Sequence, residues 1–247
     1  MKKMSDNVFR FIFVWLFLLI LASGCLDTSE AVANVKTIPS ISPIPTATQR
    51  VIKPTPTQTT TPIITLTPEP QGCQVPPDDY TRVEINGWTI NQRTMAMLTY
   101  AQELYGGEIE LTGYAITQGS YHDNGSTSFG THLGGGAVDI SVMRRGTYTV
   151  LWDDLPLVIH ALRTAGFAAW FRDYGELYQD SAYHIHAIAI GDKELSFAAQ
   201  EQLTGEAGYF RGYSGLPIER YGMPKEYLDG GPIICQWMID LGYQYLR

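Results

Sequence analysis

Two short stretches of the chain hold the residues best suited to chemistry. The first, Gly130 to Ile140, reads "GTHLGGGAVDI" and sets His132 seven residues before Asp139, with three consecutive glycines between them. The second, Tyr183 to Ile190, reads "YHIHAIAI". Imidazole and carboxylate groups are donors for a divalent ion. A catalytic zinc site takes three ligands of the His, Asp or Glu type and keeps one position open. Asp139 is the one charged residue in the apolar run "AVDISV". A buried carboxylate without a partner is costly, so this position calls for a cation or strong donors. Glycines 134, 135 and 136 let the backbone turn back after His132, because Gly tolerates positive φ. His184 and His186 are two apart and share a face if the segment is a strand. One of them can then bind an ion while the other stands beside a substrate. His160 falls within a helical pattern and reads as structural.

Positioning these groups requires a folded scaffold around both stretches. "TINQRTMAMLTYAQELYGG" has apolar residues at helical spacing, with Asn91 as the expected cap and Gly106 as the stop. "DLPLVIHALRTAG" predicts a second helix, capped by Asp153 or Asp154 and closed by Gly166. "SFAAQEQLTGEAG" predicts a third, and the C-terminal "GPIICQWMIDLGYQYL" a fourth. "EIELTGYAITQGSY" reads as a strand entering a turn, and "FAAWFR" and "AYHIHAIAIG" read as strands. Helices and strands mix without strict alternation. The expected class is therefore α+β, a small antiparallel sheet flanked by helices.

Composition limits the partners. The formal charge of the 247 residues is −8, which argues against a nucleic-acid ligand needing a basic face. The N-terminal "MKK" and Arg10 precede a twelve-residue apolar run, Phe11 to Ala22. That run is shorter than the ~20 residues of a spanning helix and has the form of a signal-peptide core. It ends in "LASGC", which resembles a bacterial lipobox. Residues 1–24 are thus expected to be a lipoprotein signal peptide, with Cys25 lipidated and anchoring the protein in the membrane, facing the cell wall. Residues 25–72 are rich in Thr and Pro and form an expected disordered tether. At ~3 Å per residue such a tether reaches on the order of 100 Å. The folded domain is expected over 73–247, as a monomer. Outside the cytoplasm its two cysteines, Cys73 and Cys235, are expected to oxidise to a disulfide.

The string "HLGGGAVD" fits the pattern His-x-x-Gly-x-Ala-x-Asp and resembles the D-Ala-D-Ala metallopeptidase family. That family lies within the superfamily of lysostaphin-type endopeptidases, D-Ala-D-Ala peptidases and the hedgehog signalling domain. "HIH" resembles the superfamily's second signature, and the likeness covers roughly residues 80–205. It implies a zinc peptidase architecture in which His132, Asp139 and His186 bind Zn²⁺. The chain departs from the family where Gly130 replaces a usual Ser and where Tyr183 replaces the Glu that acts as base. Two candidates for the base remain. His184 matches lysostaphin-like members, and Asp180, six residues before His186, has the spacing of hedgehog-like members. Gln118, Ser120 and His122 in "TQGSYHD", and Arg93 in "NQRTMAML", are candidates to bind substrate. No Gly-x-Ser-x-Gly elbow is present for a serine hydrolase. The resemblance implies a zinc-dependent peptidase acting on peptidoglycan peptides or cross-bridges. The alternative is a zinc-stabilised wall-binding or scaffold lipoprotein without turnover.

Overall fold

Asn86 and Gly87 both take positive φ, 49° and 79°. This is the backbone that a two-residue hairpin turn demands, and Asn-Gly supplies it at least strain. The turn joins β1 (Arg82–Ile85) to β2 (Trp88–Asn91) as a small antiparallel ribbon. The computed structural model describes residues 70–246 except 124, 219–221 and 228. The signal segment 1–24, Cys25 and nearly all of the tether 25–72 lie outside the described residues. No helix among the described residues is long and apolar enough to cross a membrane.

The main sheet has four strands in the order β3-β4-β6-β5, every neighbour antiparallel. These are β3 (Ile116–Gln118), β4 (Ala137–Ser141), β5 (Phe167–Arg172) and β6 (His184–Ala189). Helices α1 (Gln92–Tyr105), α2 (Leu155–Thr164), α3 (Phe197–Thr204) and α4 (Gln236–Asp240) complete the α+β fold. Asn91 caps α1 by accepting from Thr94 N–H, and Gly106 ends it at φ 63°. Ser196 caps α3 by accepting from Ala199 N–H at 3.1 Å.

Strand alternation divides the apolar residues into two cores. Val138, Ile140, Phe167, Ala169, Ile185 and Ala187 face one way and pack with Leu98 of α1 and Leu162 of α2. Ala168, Trp170, Ile188 and Ile190 belong to the opposite core, with Leu203 of α3 and Met238 of α4. The residues left on that second face, Asp139, Ser141, His184, His186 and Arg172, line a cleft instead of filling the core. The sheet is thus buried on both faces, yet on β4, β5 and β6 a two-residue period places these polar residues of the site on one of them.

Three expectations from the sequence need correction here. Asp154 sits at the start of α2 but makes no cap bond, because its carboxylate accepts from the Tyr105 hydroxyl. The C-terminal segment is helical only over Gln236–Asp240, and Gly242 at φ 92° follows its end. The stretch from Glu108 contributes only the three residues of β3; turns occupy 111–115. Cys73 and Cys235 are bonded as expected, with Cα atoms 5.7 Å apart.

Candidate metal centre

The register of the sheet brings two of the three ligand candidates side by side. Asp139 on β4 is the direct partner of His186 on β6, which in turn faces Trp170 on β5. His132 arrives from a 3₁₀ turn, Thr131–Leu133, just ahead of β4. Glycines 134–136 make that return possible, although not mainly through positive φ. Only Gly136 lies in the left-handed region, at φ 75°. A Cβ on Gly134 would collide with the backbone of Glu194 and Ser196, and one on Gly135 would press on the Tyr121 hydroxyl at 2.5 Å. Their smallness lets the His132 turn lie directly against the 194–196 loop.

Donor atoms of His132, Asp139 and His186 all fall within 4.8 Å of one another. Asp139 Oδ1 is 2.7 Å from His186 Nδ1 and 3.4 Å from His132 Nε2. His184 Nε2 stands 4.0 Å from the same oxygen. The outer nitrogens are held as firmly. His132 Nδ1 donates to the Gly119 carbonyl at 2.8 Å, and His184 Nδ1 donates to the Ala182 carbonyl at 2.8 Å. His186 Nε2 faces Gln202 Oε1 at 3.0 Å. Trp170 stacks on the His186 ring at 5.9 Å and 13°.

These contacts test whether the cluster suits a cation. A carbonyl can only accept, so the outer nitrogen of His132 carries its proton and Nε2 turns a lone pair inward. The His186 ring meets an acceptor at both nitrogens, Asp139 Oδ1 and Gln202 Oε1. A neutral imidazole has one N–H and can satisfy only one of them. A cation at the inner side satisfies Nδ1 and Oδ1 together, while Nε2–H donates to Gln202, the arrangement usual for metal-bound histidines. The buried cluster of His132, Asp139 and His186 can therefore hold a metal ion.

Without an ion, the shared carboxylate sets the protonation of the cluster. Burial alone would push the Asp139 carboxyl up, but His132 and His184 beside it, and bonds from His132 and His186, hold it well below the usual carboxylate range. Burial drives the His186 imidazole down to about 4 despite the opposing pull of Asp139. At His132 burial is outweighed by the Asp139 charge, and the pKa is raised. The two histidines diverge because one carboxylate supports one extra proton, and a charge on His132 disfavours a second on His186.

The cluster opens into a cleft of about 390 Å³. Gln118, Ser128, Thr131, Arg172, Tyr183 and His184 are among its lining residues. Four buried polar atoms on this lining have no hydrogen-bond partner: Gln118 Nε2, Ser128 Oγ, Thr131 Oγ1 and His184 Nε2. Orphaned buried polar atoms are rare, and their gathering in one cleft marks it as a place for a polar ligand.

The remaining candidates from the sequence divide. Gln118 and His184 line the cleft. Arg93 does not; its buried guanidinium donates to the carbonyls of Pro77 and Ile190, each at 3.0 Å, and braces the domain. Ser120 is buried and donates to the Ala137 carbonyl at 2.9 Å, fastening the turn after β3. His122 is exposed with its ring 5.3 Å from Trp88. Asp180 is exposed, accepts from the Tyr174 hydroxyl at 2.8 Å and is not among the cleft lining. His160 is an exposed residue of α2. Gln202 was not legible as a site residue, although it is a buried amide on the packed side of α3, beside Ala199 and Leu203. Arg172 likewise carries no site signal in the sequence; it is buried at the end of the apolar strand "FAAWFR" and donates to the Ser214 carbonyl at 2.7 Å.

Comparison with known proteins adds no identification: no family model, curated protein or solved structure matches the chain.

Proposed function

We propose that this chain is a zinc-dependent peptidase of the D-Ala-D-Ala metallopeptidase type, exported as a lipoprotein and acting on peptidoglycan peptides or cross-bridges at the cell surface. One observation carries the reading. Two imidazoles and a carboxylate turn lone pairs toward a common point at the floor of a cleft, and their outer nitrogens are already committed to Gly119 and Gln202. Two His and one carboxylate are a three-ligand set that catalytic zinc sites use, with a fourth position left for water or substrate. When bound, Zn²⁺ polarises a carbonyl and lowers the pKa of water toward ~7.

The chain's own groups then have defined tasks. His184 Nε2 is buried in the cleft without a partner, and its Nδ1–H is anchored to Ala182. It is the group placed to accept a proton from attacking water and return it to the leaving amine. Gln118, Ser128 and Thr131 offer hydrogen bonds to the peptide that enters. Asp180, pointing to Tyr174 rather than the cleft, is set aside as base.

A second reading, a wall-binding scaffold without turnover, draws support from Tyr183 at the position where the resembling family carries its Glu base. Incubating the zinc-loaded full chain with purified peptidoglycan and assaying new amino groups separates the two. Release that disappears on chelation and in His186→Ala supports the peptidase. Tight wall binding without release under any divalent metal supports the scaffold.

A further inference from the structure

The cleft has an aromatic extension outside the metal cluster. Tyr183, which lines the cleft, touches three other rings. Trp152 meets it edge-on at 5.3 Å, Phe171 stacks at 6.0 Å and 7°, and Tyr174 lies tilted at 5.8 Å. Trp152 also meets Phe171 at 5.9 Å. Phe171 and Tyr183 are half-buried, whereas Trp152 and Tyr174 are each 54% exposed. Tyr178, also on the cleft wall, is 46% exposed. Large contiguous aromatic surface facing water is unusual unless something covers it.

Chemistry narrows the occupant. The rings pack against one another at 5.3–6.0 Å, so they form a platform and not an empty box. A cage for a cation needs rings on several sides of a void. The two segments supplying Trp152, Tyr174, Tyr178 and Tyr183 contain no Lys or Arg between residues 146 and 162 or between 173 and 192. Three exposed carboxylates go with the ring residues instead: Asp153 follows Trp152 in the chain, and Asp173 and Asp180 accept from the Tyr174 N–H and hydroxyl. Lys225, the exposed base that reaches this loop, is already paired with Glu176, so an anionic lipid surface finds little attraction there, since adhesion by charge needs basic residues. A pyranose ring matches the surface. Its C–H face lies flat on an aromatic face, and its rim of hydroxyl donors suits carboxylate acceptors.

We infer that Trp152 and Tyr174, backed by Phe171 and Tyr183, bind the sugar backbone of an amino-sugar polymer, so that a peptide branching from it enters the cleft beside Tyr183. The inference rests on the peptidase reading for the identity of the polymer. The platform itself needs neither metal nor turnover. Phe171 and Tyr183 pack on the first core, the face of the sheet opposite the metal cluster, and Tyr183 alone of the four rings also lines the cleft, where the end of β6 brings the two faces together. A glycan on the rings would thereby reach the mouth of the cleft around the end of the sheet, at Tyr183.

Chitotetraose, a β-linked N-acetylglucosamine tetramer, is the probe. Titrated into the full chain and followed by tryptophan fluorescence, it should bind saturably. Trp152→Ala should weaken binding at least about tenfold, and Trp152→Phe should retain part of it. Thermal unfolding should hardly move, since the side chain is half in water. Cleavage of a glycan-free peptide should be unchanged in Trp152→Ala, while cleavage of intact wall falls. Absence of saturable binding, or binding indifferent to both Trp152→Ala and Tyr174→Ala, overturns the inference. So does binding to phosphatidylglycerol vesicles that is lost in Trp152→Ala, because it assigns the rings to a membrane. Saccharide binding without any cleavage would sink only the peptidase reading; peptide cleavage without saccharide binding would sink only this one.

Discussion

Gln202 Oε1 lies 3.0 Å from His186 Nε2 and so decides which nitrogen of that ring faces Asp139. The amide is carried by α3 and the imidazole by β6, so the packing of a helix on a sheet sets the protonation pattern of the metal cluster. Gln202→Leu keeps the volume but removes the acceptor. Metal affinity should fall about 10–100-fold with the fold intact, as for other outer partners of ligating histidines. Competition with a chromophoric chelator measures it. An unchanged affinity would mean that the amide only fills space.

His184 and Asp180 should separate cleanly in kinetics. His184→Ala should lower kcat by roughly 10²–10⁴, the usual contribution of a positioned base, with zinc stoichiometry preserved. Asp180→Asn should leave kcat within about threefold, since only the Tyr174 hydroxyl bond is altered. Steady-state rates on one peptide substrate, with metal content measured in parallel, decide between them. The reverse ranking would return Asp180 to the role of base.

The metal-depleted protein should lose stability in a defined pH window. Burial places the folded-state pKa of His186 at about 4, against an ordinary 6.5. Between those values the unfolded chain takes up a proton that the folded chain refuses. The contribution is therefore complete above about 6.5 and declines as the pH falls toward 4, by ~3 kcal/mol at ~1.4 kcal/mol per pH unit. His132, whose pKa is raised, acts in the other direction and in a higher window: its contribution is present below 6.5 and lost as pH rises through its folded value. Urea unfolding at a series of pH values tests both. Replacing His186 by Asn should flatten the lower slope.

Removing the Cys73–Cys235 bond should destabilise the domain by about 2–5 kcal/mol, given the long loop it closes. Denaturant titration of a Cys73→Ser, Cys235→Ser double variant against the oxidised protein measures this. Zinc binding at low temperature should persist, since neither sulfur is part of the cluster.

Much of this arrangement could be read from the sequence, because its signals were local. Asn91 and Gly106 bracket α1 by their own chemistry, and the His184–His186 spacing fixed a shared strand face. His132 and Asp139 stood out because polar residues interrupted glycine and apolar runs. What escaped depended on distant packing. Arg93 looks like a surface residue of a helix, yet its guanidinium reaches the carbonyls of Pro77 and Ile190. Gly134 and Gly135 suggested conformational freedom, whereas the loop at 194–196 requires their lack of a side chain. Gln202 could be seen as a polar residue on an apolar helix face, but its partner is 16 positions away on another element. The Asn86–Gly87 turn is a local signal too, since Asn-Gly supplies the positive φ that the β1–β2 hairpin needs.

The sulfur bridge at the two ends of the domain has a mechanical meaning. The strands and helices that hold His132, Asp139, His184, His186 and Gln202 lie inside the covalent loop from Cys73 to Cys235. Tension pulling on the chain from before residue 73 and after residue 235 passes through that bridge and bypasses the sheet. Traction on either tail would strain a covalent bond before it disturbed the spacing of the imidazoles.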